Sequence, residues 1–115
     1  MNLESKKESE TLEFKKSVGE WREIVETISA FSNTRGGEIL VGINNSGEVK
    51  GIEIGKNTLE DLTNKIKENT DPKVYPRITT RIISNKTIIA IRIKESNDLL
   101  SLAFGRPYKR VGSPR

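Results

Sequence analysis

Neither cysteine nor histidine occurs among the 115 residues. The first absence removes disulfide frameworks and thiolate metal sites. The second removes the usual general base and the commonest zinc ligand. Any metal chemistry then has to run on carboxylates and amides, the donor set of magnesium or manganese. Aromatics are scarce, with one Trp, two Tyr and three Phe, so sequence readout by stacking is limited. No hydrophobic run approaches the ~20 residues of a membrane span, and the N-terminus carries no apolar signal region. A cytoplasmic protein is expected. Abundant Ile, Lys and Glu without Cys fit a thermophile.

Charge is present and unevenly spread. Residues 1–53 hold seven basic and ten acidic side chains, whereas residues 54–115 hold thirteen and six. A polarised basic half suggests an anionic partner, nucleic acid first among candidates. A solvated lysine-rich surface is the plain alternative. The length suits one domain over residues 1–115, large enough for its own core.

Periodicity then predicts the elements. Met1 to Ser9 is charged and aperiodic, and is expected to be mobile or loosely docked. Thr11 to Lys15 alternates as a short strand with Leu12 and Phe14 on one face. A helix begins near Gly19, its apolar stripe formed by Trp21, Ile24, Val25, Ile28 and Phe31; Trp21 therefore reads as core. The helix ends at Asn33 or Thr34. Gly36 and Gly37 turn the chain at low steric cost into a strand from Glu38 to Ile43. Because the glycine pair follows a helix C-terminus, the wrong pole for an anion, it is not a phosphate cradle. Asn33 reads as a cap or brace for this turn rather than a substrate contact. Asn-Asn-Ser-Gly at 44–47 predicts a hairpin with a return strand from Glu48 to Ile52. A second helix is predicted from Leu59 to Asn69, with Thr58 as N-cap and Glu60 and Asp61 in its first turn. Strands from Ile78 to Ile83 and Thr87 to Ile93 flank Ser84-Asn85-Lys86, and Tyr108 to Val111 has room for one more. The sum is an α+β domain, two helices packed on one mainly antiparallel sheet.

The ordered series Glu8-Ser9-x-x-Leu12-Glu13-Phe14-Lys15, Ala30-Phe31-Ser32-Asn33-Thr34-x-Gly36-Gly37, Gly42-Ile43, Gly47, Gly51 and Tyr108-x-Arg110-x-Gly112-Ser113 resembles the Schlafen AlbA_2 domain. The resemblance spans about residues 8 to 113 and implies a nucleic-acid-binding α+β module. In many bacterial and archaeal relatives the module is joined to a winged-helix segment. In vertebrate Schlafens two such lobes form a clamp that cleaves structured RNA with a three-carboxylate site. The first two family carboxylates match Glu8 and Glu13. The third position matches Asn45, whose neutral amide weakens a hard-cation site; Glu48 lies three residues further on. By spacing alone Glu8 and Glu13 fall on opposite strand faces, or about 140° apart on a helix, and converge only if the chain bends near Ser9 or Glu10.

Three function classes follow. One is a nucleic-acid-binding domain, for DNA or RNA, that needs no cofactor. Its expected phosphate contacts are Lys15, Lys16, Arg35, Arg77, Arg81, Arg106, Lys109 and Arg110, with Tyr108 available to stack a base. Arg77, Thr79 and Arg81 share one strand face. The alternative is a magnesium- or manganese-dependent endonuclease with Glu8 and Glu13 as metal ligands and Asn45 completing the catalytic set. A protein-interaction subunit docking through an edge strand is a third class. A homodimer is expected, its paired lobes mimicking the two-lobe clamp, because twofold assembly is the commonest.

Overall fold

The computed structural model describes residues 7–96 and 100–111. Strand β1 (Leu12–Lys15) leads through a 3-10 turn (Val18–Glu20) into helix α1 (Trp21–Ser32) and strand β2 (Gly37–Val41). A glycine-rich loop follows, then helix α2 (Thr58–Glu68) and the two-residue strand β3 (Thr70–Asp71). The hairpin β4 (Arg77–Ile83) and β5 (Lys86–Ile93) comes next, and β6 (Leu102–Ala103) and β7 (Arg106–Pro107) are the last strands of the described chain. The four long strands lie in the order β1-β2-β5-β4. Only β1 and β2 run parallel, joined over α1; β2–β5 and β4–β5 are antiparallel. The short strands make a second sheet, β3-β6-β7. The architecture is two helices packed on a mixed, mostly antiparallel sheet.

Alternation along the strands sends side chains to two cores. Ile39, Val41, Ile89, Ile91 and Ile93 meet Ile24, Val25, Ile28 and Phe31 of α1 and Leu62 and Ile66 of α2. The intervening residues Leu40, Ile88 and Ala90 point the other way, where they join Phe14 and Ile43. Each large apolar side chain so buried contributes roughly 1.5–3 kcal/mol. Trp21 packs against the first core, consistent with its place on the stripe.

The helix-to-strand junction has a steric cause. The Gly36 N–H donates to the Phe31 carbonyl at 2.7 Å, and its φ of 74° is left-handed. A Cβ on Gly36 would lie 2.7 Å from the Ile93 carbonyl oxygen, and one on Gly37 2.8 Å from the Phe31 ring. The two glycines let β2 run beside β5 and across the face of Phe31.

Four expectations need correction. The segment Glu48 to Ile52 is no strand; only the bridge Ile43–Val49 pairs there. Asn44 Oδ1 accepts from Ser46 N, Ser46 Oγ and Glu48 N, and left-handed Gly42 and Gly51 break the ladder. Thr58 is the first helical residue rather than the N-cap; its Oγ1 accepts from Gly55 N. Lys86 belongs to β5, leaving a two-residue turn of Ser84 and Asn85, both at positive φ. Tyr108 to Val111 is irregular, because the Tyr108 carbonyl is taken by the Asn33 side chain. Of the stretch expected to be mobile, residues 1–6 lie outside the described residues, as do Gly112 and Ser113 of the motif series. Glu8 and Ser9 dock on β1: Glu8 Oε2 accepts from Phe14 N at 2.9 Å, and Ser9 pairs with Leu12.

Candidate nucleic-acid interface

On the sheet face turned away from the helices, the register lines up side chains from three strands. Glu38 of β2 faces Arg92 of β5, which faces Arg77 of β4. Two residues along β4, Thr79 faces Ala90; two further, Arg81 faces Ile88. Even spacing puts Arg77, Thr79, Arg81, Ala90, Arg92 and Glu38 on one face. They line a shallow hollow of about 230 Å³. Glu38 Oε2 accepts from Arg81 Nη2 at 2.6 Å and lies 3.6 Å from Arg92 Nη2. Arg81 and Arg92 thus share a single carboxylate, and among the described residues no carboxylate pairs with Arg77. Three guanidiniums facing one carboxylate leave an exposed cationic surface. Planar guanidiniums with several N–H donors suit phosphate oxygens.

The other expected phosphate contacts divide in two. Lys16, Arg35, Arg106 and Lys109 are exposed and none lines the hollow; Arg35 is paired to Glu10 at 2.7 Å. Lys15, Tyr108 and Arg110, in contrast, are turned inward. Lys15 is buried between Glu13 at 3.2 Å and Glu23 at 2.9 Å. Burial alone would push its pKa down, but the hydrogen bond and charge of Glu23, with the charge of Glu13, more than offset this and hold it above the ordinary value. Arg110 has a fully buried side chain. Its Nη1 donates to Glu13 Oε1 at 2.7 Å, its Nη2 to the Ser9 carbonyl at 2.7 Å, and its guanidinium stacks 4.9 Å over the Phe31 ring. Tyr108 is half-buried against the main core with its hydroxyl 3.3 Å from Glu26. The tail therefore packs on the domain instead of offering these side chains to a ligand.

The carboxylates are likewise engaged. Both oxygens of Glu13 carry cations, Arg110 on one and Lys15 on the other. Glu8 holds the Phe14 amide. Asn45 is exposed at the tip of the 44–47 turn. Glu48 lies beside Lys50 at 3.2 Å, whose hydrogen bond and charge, with the Asn44 amide, hold its carboxyl below the ordinary value. A divalent ion does not fit this donor set as arranged, since two protein cations already occupy the position on Glu13. Among the described residues no group of three acidic, Cys or His side chains is gathered to hold an ion.

Sequence reasoning missed Arg92. Its signal lay in the two-residue turn. A loop of only Ser84 and Asn85 pairs Ile83 with Lys86 and therefore Arg77 with Arg92. Counting Lys86 into the loop slips the register by one, and a one-residue slip reverses every side chain's face.

Comparisons with known proteins bear on the family and the fold. The family model described as "Schlafen, AlbA_2" matches residues 8–114. No curated protein matches the chain. Among solved structures, the DIP2311 protein from Corynebacterium diphtheriae superposes with a TM-score of 0.69 at 16% identity, covering 92% of this chain and 22% of that one. The chain thus spans about a fifth of that protein. The N-terminal domain of a protein from Nitrosomonas europaea, described as related to the ATP-dependent DNA helicase RecG, gives a TM-score of 0.61 at 21% identity. That match covers 91% of this chain and 79% of the neighbour. At these identities the two structures establish the shared fold.

Proposed function

The chain belongs to the Schlafen AlbA_2 family, and from that premise we propose that it is a nucleic-acid-binding domain contacting phosphates through the arginine face of its sheet. The family and the fold shared with a helicase-related N-terminal domain support a nucleic-acid-related role. The observation that carries the finer reading is the cluster of Arg77, Arg81 and Arg92 around one carboxylate. Guanidinium–phosphate contact releases counterions and needs no metal. Binding measured over single- and double-stranded DNA and RNA is expected to persist in EDTA. Loss of all binding at low salt contradicts the proposal. Metal-dependent cleavage lost in a folded Glu13→Gln variant would support the hydrolytic alternative instead.

We also propose a homodimer, which would double a surface that is small in one copy. Light scattering at micromolar concentration is expected to give twice the chain mass; a monomer contradicts the assembly.

A further inference from the structure

A second concavity adjoins the arginine hollow. It is a groove of about 600 Å³ between the 72–76 strap and the end of β5, and it shares Arg77 and Arg92 with the hollow. Lys73 and Lys94 add two more cations, and no carboxylate is among its described lining residues. Tyr75 lines it with 71% of its surface exposed. The ring does not sit on a loose loop. Val74 beside it packs on the main core, and the Val74 N–H donates to Thr70 Oγ1 at 2.9 Å. Pro72 and Pro76 fix φ on either side. An exposed aromatic on a tethered strap, inside a cationic groove of a size usual for small ligands, is a stacking platform beside phosphate-binding groups.

We propose that this groove holds one unpaired nucleotide, its base stacked on Tyr75 and its phosphates on Arg77, Arg92 and Lys94, so that the protein prefers single strands. This rests on the reading of the arginine face above and extends it from a charge contact to a substrate class. In a duplex the base faces are covered by neighbouring bases, so Tyr75 gains nothing there. A single strand offers a free π-face at no unpairing cost.

The test is fluorescence anisotropy with three equally long labelled probes: a single strand, a duplex and an abasic single strand. Tyr75→Ala should weaken the single strand by roughly 5- to 150-fold, the range expected for one stacked base. Duplex and abasic affinities should not change, and Tyr75→Phe should retain single-strand binding. Equal effects of Tyr75→Ala on all three probes, or none on any, overturn the stacking site while salt-dependent binding leaves the arginine face standing. Absence of binding to every probe overturns both. Displacement of the single strand by poly-glutamate as effectively as by unlabelled strand overturns the nucleotide assignment in favour of a general polyanion surface.

Discussion

Arg110 shows how far a residue's role depends on contacts remote in sequence. A cation in a tail with no acidic residue reads as a free phosphate ligand. Its partner Glu13 lies 97 residues away, and nothing local announces it. Lys15 misleads for a related reason. Opposite Leu12 and Phe14 on a strand, it reads as solvent-facing, but both faces of β1 are covered and its amine joins the same buried network. Removing one member of such a network strands an uncompensated charge. Arg110→Ala should therefore lower stability by about 3–5 kcal/mol, read by chemical denaturation, and a loss under 1 kcal/mol would contradict the network's role. Lys15 adds a pH signature. Its folded pKa lies above the ordinary 10.5, so its stabilisation is complete below that value and is lost as pH rises through the folded pKa. The melting-temperature gap between wild type and Lys15→Met should shrink over the alkaline range above pH 10.5. A gap constant across that range would exclude the linkage.

At the scale of elements, the sequence carries the helix-to-strand junction and the two strands β4 and β5 plainly, but not the length of the turn that joins those strands. The α1 stripe, the glycine pair and the β-branched runs all point one way. What Asn33 does at that junction was only half legible. Its place at the end of α1 marks it as a brace, but it braces the returning tail: Nδ2 donates to the carbonyls of Ser101 and Tyr108, and Oδ1 accepts from Ser101 N. These partners are 68 and 75 residues distant, beyond any local pattern. Asn33→Ala leaves two backbone groups unpaired, the Ser101 N–H and the Tyr108 carbonyl, while the Ser101 carbonyl keeps Ser29 Oγ; the loss should cost about 1–3 kcal/mol. Hydrogen exchange should show the loss of protection at Ser101; unchanged exchange there would contradict the brace. The return strand expected after the 44–47 turn failed for the opposite reason. The turn signal was real, but Asn44 used its side chain to build a loop, as short polar side chains do when they compete with a ladder.

For the whole molecule, charge asymmetry between the two halves of the sequence suits a polyanionic partner without fixing where it would sit. Folding then sorted the cations. Lys15 and Arg110 went inside, Arg35 found Glu10, and the β4–β5 register gathered Arg77, Arg81 and Arg92 on one face, next to a groove with an exposed tyrosine. The proposed binding surface was legible as composition and not as location, because register decides location and one loop residue decides register. The most direct measurement is the salt dependence of single-strand affinity for wild type and for the Arg77→Ala/Arg92→Ala variant. Without these two guanidiniums, proposed above to hold phosphates, the slope of log K against log salt should become shallower by about 1.4, and affinity should fall at every salt concentration. An unchanged slope and affinity in a folded variant would show that nucleic acid, if bound, is held somewhere other than the arginine face.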